Sequence, residues 1–298
     1  MMTEQHDKNN SNNNFLSLFK KIILIFSIII FCVSGALLLK YYVINPYIFN
    51  KKLDNIKKIK DKNQNRDFTE LLNINQDIKG WIKINNTVID YPVLQSSKDE
   101  PIFYLDRNFK KEKDQNGSIF INSYTGIFDS NTQNTVMHGH SMKSGKMFSA
   151  LLKYSSLDYF KEHSIVEFDS IYQPGKWKIF AIIKTNSLEK HGKIFNYFTQ
   201  KFDSQEDFLD LIYEIKIRSI INIPVEVLPD DKIISLSTCS YEMEGFRTVV
   251  FARKIRENES ELIDFENTEL NKNPLMPEGW YRARKIKMPK FEHRRKSI

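Results

Sequence analysis

The chain has 298 residues, with 44 Lys and Arg against 37 Asp and Glu for a formal net charge of +7, and 2 cysteines. That length holds one good-sized domain with appendages or two small ones, and so few cysteines exclude a disulfide-stapled framework. A basic balance suits a nucleic acid, an anionic membrane or a wall polymer equally, until a more local feature decides between them.

In chain order, residues 1–14 are polar and Asn-rich, which predicts disorder. Residues 22–39 form a run of 18 without a charge, flanked by Lys20-Lys21 and Lys40. The run is long enough to cross a hydrocarbon core. It is also longer than the apolar region of a cleaved signal peptide, the rival reading that Ser34-Gly35-Ala36 invites. The chain therefore reads as a cytoplasmic head (1–21), a single-pass membrane anchor (22–39), a stem (40–66), a folded domain (67–256) and a basic C-terminal tail (257–298). Lys8, Lys20 and Lys21 favour a head kept inside and a folded domain outside the cell. The expected partner of the positive charge is then a membrane and not a nucleic acid.

Asp67-Phe-Thr-Glu70 has the form of a capping box opening a short helix. Beyond it, short apolar runs punctuated by Asn, Asp and Gly predict strands at 80–84, 88–93, 117–121, 135–137, 165–168 and 177–183. Helical stripes interrupt this pattern at 147–154 and 203–218, and 225–227 leads into a last pair of strands at 233–239 and 248–252. Many short strands with one long inserted helix predict a mainly β fold, a closed or nearly closed β-barrel with peripheral helices.

Ile234, Leu236 and Thr238 alternate with Ile233, Ser235 and Ser237 up to Cys239. If this strand and the one that follows Arg247 pair as a hairpin, Cys239 and Arg247 share one sheet edge. A thiol with a reference pKa of about 8.5 is mostly protonated at neutral pH, and a fixed cation beside it favours the nucleophilic thiolate. The competing reading of such a cysteine is a small buried hydrophobe. Outside the cell Cys239 would be a lone thiol, either a liability or a working nucleophile. The run Asn134-Thr-Val-Met-His-Gly-His140 puts His138 and His140 at a strand end, where side chains reach into a loop. Zinc is a second use for these histidines, but His138, His140 and Cys239 have no further clustered ligand at metal spacing. His163, His191 and His293 read as surface residues.

Together, Thr238-Cys239 with Arg247 ahead of a Val-Val strand, Thr135-Val-Met-His-Gly-His140 before a Met-Phe helix, Gly80-Trp-Ile-Lys-Ile84 leading to Tyr91-Pro-Val93, and Gly117-Ser-Ile-Phe120 resemble the sortases. The helix inserted at 203–218 resembles class B in particular, and the likeness covers about 71–254. It implies a sortase-type barrel in a Gram-positive, membrane-anchored cysteine transpeptidase, formally a thiol peptidase among the hydrolases. Such an enzyme cleaves a C-terminal LPxTG- or NPxTx-like sorting signal after Thr through a thioacyl intermediate. It then passes the surface protein to an amine of the peptidoglycan precursor. On that likeness Cys239 is the nucleophile, His140 the general acid and base, and Arg247 the donor to the oxyanion or substrate backbone. Ser237, His138, Tyr197 and Phe198 match positions that line the class B peptide groove, and the chemistry calls for no metal or other cofactor. His138 stands where the class usually carries Tyr, and the loop from Cys239 to Arg247 is shorter than in some members.

Two other readings stay open at this level: a membrane-tethered cysteine peptidase that hydrolyses without transfer, and a non-catalytic wall-binding adaptor. Past the likeness, Arg282, Arg284, Lys285, Lys287, Arg294, Arg295 and Lys296 suggest a solvated, flexible tail or one that touches anionic lipid or wall polymer.

Overall fold

The computed structural model describes residues 2–62, 67–124 and 126–291 and divides into two compact units, Met1–Lys58 and Ile59–Ile298. In the first, helix α1 (Met2–Leu39) runs into a single π-helical segment, Lys40–Ile44, ahead of helix α2 (Asn45–Lys62). Helix rather than disorder continues through the polar head, because once the apolar run has formed a helix each added residue gains a hydrogen bond at little cost. The π turn has a local cause in Pro46, which has no N–H to offer and whose ring crowds the carbonyl of the preceding turn. Among the described residues one helical stretch, Ser17–Asp61, is long and apolar enough to cross a membrane.

The second unit begins at Ile59 within α2 and continues with helix α3 (Thr69–Ile74). Its cap position falls on Phe68, which makes no side-chain cap bond, and not on Asp67 as the capping-box pattern predicts; Asp67 Oδ1 instead accepts from the Thr69 backbone N–H at 2.8 Å and from the Thr69 hydroxyl at 2.5 Å. Strands β1 (Ile78–Lys83), β2 (Asp90–Gln95), β3 (Ile119–Ile121), β4 (Asn134–His138), β5 (Ile165–Ser170) and β6 (Lys176–Asn186) follow. After the short β7 (Ile221–Asn222) come β8 (Ile233–Cys239), β9 (Phe246–Lys254) and the short β10 (Glu269–Leu270). A closed barrel forms in the order β1-β2-β3-β4-β8-β9-β6-β5, while β7 and β10 pair separately. Its ladders are antiparallel except β2 with β3 and β4 with β8. Closure satisfies the backbone groups that an open sheet leaves at its edges. Alternation along the strands puts Ile82, Val93, Ile119, Met137, Leu236 and Val250 on one face, all completely buried.

Peripheral helices α4 (Leu157–Glu162) and α5 (Gln205–Arg218) start at Ser156 and Ser204, whose hydroxyls accept from the Tyr159 and Asp207 N–H groups. These satisfy backbone donors that the first helical turn leaves free. Phe208, Leu211, Ile212 and Ile215 form the buried stripe of α5. The stripe at 147–154 forms a 3-10 helix, Phe148–Ser155, and not an α-helix. It is a short connector squeezed between Met147, at φ 59°, and the Ser156 cap, the setting in which 3-10 turns are common. Residues 225–227 are irregular, and the edge strand there is β7.

The segment after residue 256 is not a solvated tail. Ile263, Leu275, Met276 and Tyr281 are buried, β10 pairs with β7, and helix α6 (Glu278–Arg284) follows. Its charges mislead because the apolar residues that anchor it are widely spaced and follow no period. Residues 292–298, with His293, Arg294, Arg295 and Lys296, lie outside the described residues. His163 and His191 are also not surface residues, each being 8% exposed. Both rings pack on an aromatic neighbour, His163 on Tyr159 and His191 on Phe246.

Candidate active site

The site grows from two strand registers. In the antiparallel β8–β9 ladder Cys239 is the Cα partner of Arg247, so these side chains leave the same face of the sheet as neighbours. In the parallel β4–β8 ladder Asn134 pairs with Ile233 and His138 with Ser237. The alignment carries on past the strand end, where the Gly139 N–H donates to the Ser237 carbonyl at 3.2 Å and the Thr238 hydroxyl to the Gly139 carbonyl at 2.7 Å. Cys239 and Arg247 are neighbours across the ends of β8 and β9, one strand spacing of about 4.8 Å apart, and His140 follows two residues past the end of β4, the strand next to β8. Cys239 is exposed and carries no disulfide.

His140 has a fixed partner, with Nε2 2.7 Å from the Leu105 carbonyl. A carbonyl only accepts, so Nε2 carries hydrogen whether the ring is neutral or charged, and Nδ1 is the nitrogen left to exchange a proton. That carbonyl is set by Gly117, which sits at φ +60° where a Cβ would fall 2.3 Å from the Leu105 oxygen. The glycine of the Gly117-Ser-Ile-Phe run is thus required by a close approach that places the imidazole. Across the mouth, the Tyr241 hydroxyl donates to the Ser141 carbonyl, tying the loop after Cys239 to the loop after His140.

The period of two continues behind the strand ends. Ser237 and His138 lie on the same face as Cys239 and His140, and the segment carrying Tyr197 and Phe198 covers them. The Tyr197 and Ser237 hydroxyls are 2.8 Å apart. The His138 ring stacks under Phe198 with centroids 6.1 Å apart, and its Nε2 accepts from Asn122 Nδ2 at 2.9 Å. Burial pushes the His138 ring down to about 3, with the Arg247 charge adding to the effect, so it is neutral near neutral pH. The Tyr197 phenol is pushed up by burial, while the Ser237 bond and the Arg247 charge oppose the shift and the Cys239 charge adds to it. The Arg247 charge thus bears on both His138 and Tyr197. All seven residues singled out in the sequence fall on this one side of the barrel.

Three contributors escaped the sequence reading. Asn134 donates through Nδ2 to the Tyr197 and Thr199 carbonyls, both at 2.9 Å, and accepts from the Ser235 hydroxyl at 2.8 Å, which pins the covering segment to the sheet. It shares the parity of His138 and His140, so the alternation itself could have exposed it. Asn122 and the Leu105 carbonyl left no such signal, one depending on the β3–β4 pairing that sets Phe120 against His138 and the other being backbone. Beyond Phe198 a cleft of about 650 Å³ opens between Asn122, Tyr124 and Ile127 on one side and Asn196, Thr199 and Lys201 on the other. Among the described residues no group of three His, Cys, Asp or Glu side chains is arranged to hold a metal ion.

No protein-family model matches the chain. It is 31% identical over 251 residues to Sortase B of Staphylococcus aureus, an alignment covering 80% of this chain and 97% of that protein. Sortase B of Listeria monocytogenes is 35% identical over 175 residues, covering 59% of this chain and 68% of the relative. Among solved structures, sortase B from B. anthracis in complex with AAEK1 superposes with a TM-score of 0.62 at 28% identity, covering 72% of this chain and 99% of that one. A Staphylococcus aureus sortase B–substrate complex gives 0.59 at 30% identity, covering 70% and 94%.

Proposed function

The chain belongs to the class B sortases, cysteine transpeptidases of the cell wall, and from that premise we propose that Cys239, His140 and Arg247 carry its reaction. The observation that supports this most is the register of β4, β8 and β9, in which Cys239 faces Arg247 and β4 runs beside β8 as far as His138, two residues before His140. The Cys239 thiolate attacks the Thr carbonyl of a C-terminal LPxTG- or NPxTx-like signal, with Arg247 donating to the developing oxyanion or the peptide backbone. As the Thr C–N bond breaks, His140 gives its Nδ1 proton to the departing amine and leaves a thioester on Cys239. An amine of the peptidoglycan precursor then attacks the thioester and His140 takes its proton. A new amide forms and the thiolate is released.

Ser237, His138, Tyr197 and Phe198 form the wall that holds the extended peptide. Its residues ahead of Thr run along the side on which the 650 Å³ cleft opens. The apolar helix at 22–39 keeps the enzyme in the membrane as a single-pass anchor with the barrel outside, where surface proteins bearing the signal emerge.

The test incubates the full chain in detergent with a panel of sorting pentapeptides, with and without a primary amine, and reads the products by mass spectrometry. A new amide that disappears in Cys239→Ala is the expected result. Hydrolysis that an added amine never diverts refutes transfer and leaves a tethered peptidase. An uncleaved panel together with a Cys239 that no thiol reagent labels points instead to a wall-binding adaptor.

A further inference from the structure

The segment after residue 256, which lies beyond the stretch that carries the family likeness, reaches the loop that flanks the active site. Helix α6 sits against the 3-10 turn Glu189–His191. Gly279 meets the His191 ring so closely that a Cβ there would lie 2.4 Å from His191 Nδ1 and 2.9 Å from its Cβ. Arg282 Nη2 donates to the Lys190 carbonyl, and Gly192 abuts the Glu278 side chain. The same His191 ring meets Phe246 edge to face, with centroids 5.2 Å apart. Phe246 is 1% exposed and begins β9 immediately before Arg247.

The same loop is tied to the strand ends by other bonds. The Asn186 side chain donates to the Leu188 and Gly192 carbonyls at 3.0 and 2.9 Å, and Ser187 donates to the Gly245 carbonyl through its N–H at 2.8 Å and its hydroxyl at 2.9 Å. A second contact runs along the loop. Leu275, Met276 and Met288 line a cavity of about 220 Å³ with Phe195 and with Thr185, the Cα partner of Arg247. Phe195 in turn lies 6.3 Å, ring to ring, from Tyr197 of the groove wall.

We propose that residues 257–291 are a brace of the active site, and that Gly279 and His191 are positioning residues which hold Phe246, and through it Arg247, opposite Cys239. The order of contact is α6, His191, Phe246, Arg247, and nothing in it touches substrate. Gly279 is needed because any side chain there displaces the imidazole that packs on Phe246. Only the consequence for peptide transfer rests on the sortase reading; the placement of Arg247 does not.

The experiment therefore reads Cys239 directly. Detergent-solubilised full chain is treated with iodoacetamide at neutral pH, and the Cys239 peptide is followed by mass spectrometry, which separates it from Cys32. Arg247 faces Cys239 across the β8–β9 ladder, and its guanidinium can donate to the iodoacetamide carbonyl as the sulfur attacks, so Gly279→Ala, which displaces it, slows alkylation about threefold. Arg282→Ala removes only the bond to the Lys190 carbonyl, slows alkylation less, and carries the test should Gly279→Ala fail to fold. In an Arg247→Ala background neither substitution slows it further. Wild-type alkylation in Arg282→Ala and in a folded Gly279→Ala overturns the proposal, as does equal slowing with and without Arg247. A chain that behaves as expected here yet transfers no peptide upholds the brace and refutes the transferase reading instead.

Discussion

Replacing Glu259 by Gln tests whether the C-terminal segment is locked into the barrel. Its carboxylate accepts from Arg253 Nη1, from Arg253 Nη2 at 2.8 Å, from Lys178 Nζ at 2.8 Å and from the Arg256 N–H at 3.0 Å. The two cations are buried, with side chains 2% and 7% exposed, whereas Glu259 sits at the rim with 23% exposed. Removing one partner of a buried pair costs about 3–5 kcal/mol, because the other charge is left out of water without compensation. The rim position, and the Asp231 carboxylate that stays 3.8 Å from Arg253, argue for the lower end, about 3 kcal/mol, which for a unit of this size lowers Tm by roughly 6–12 °C. The Arg253 bonds, then the Lys178 bond, hold the Glu259 carboxyl well below the usual carboxylate range. A depressed carboxylate stabilises the fold above its unfolded value of about 4.3, and that contribution is lost as pH falls towards the folded value. Thermal melts from pH 7 to pH 3 should therefore show the Gln variant less stable at neutral pH, with the difference narrowing below about pH 4. Melting within 2 °C of wild type at pH 7 would refute the argument and return the segment to solvent.

Arg247→Lys keeps the charge and loses the planar fork, and kcat/KM for peptide cleavage is expected to fall on the order of 100-fold; near-normal turnover would remove Arg247 from the chemistry. His138 has a folded value lowered to about 3 by burial and then by Arg247, so only the unfolded chain takes up this proton between about pH 6.5 and 3, and stability falls with pH across that window. His138→Tyr should flatten that acid slope in urea titrations and leave the inflections of the pH–rate profile in place. Loss of a kinetic inflection between pH 5 and 8 would mean that His138 titrates during turnover.

The sequence made the hairpin of β8 and β9 readable because its register is local: an alternating run, a short loop and a second alternating run set Cys239 against Arg247 before any long-range contact is known. The membrane-length helix and the barrel class were readable for the same reason, since length, period and turn residues are properties of short windows. The β4–β8 pairing was not. It is parallel, joins Thr238 to Gly139 across 99 residues, and is what the proposed pairing of His140 with the cysteine rests on; only the resemblance to a family anticipated it. His191 looked like a surface histidine among Lys190, Gly192 and Lys193, and its burial follows from α6 arriving from a stretch whose composition suggested a tail.

What the sequence settled by itself was which chemistry-bearing side chains stand at strand ends and on which face, because alternation along an extended chain leaves no freedom in that choice. Which of those ends meet, which carbonyl holds the imidazole, and which distant helix backs the arginine were decided by barrel closure and by packing. Those depend on contacts between segments far apart in the chain, whose joining entropy no local pattern records.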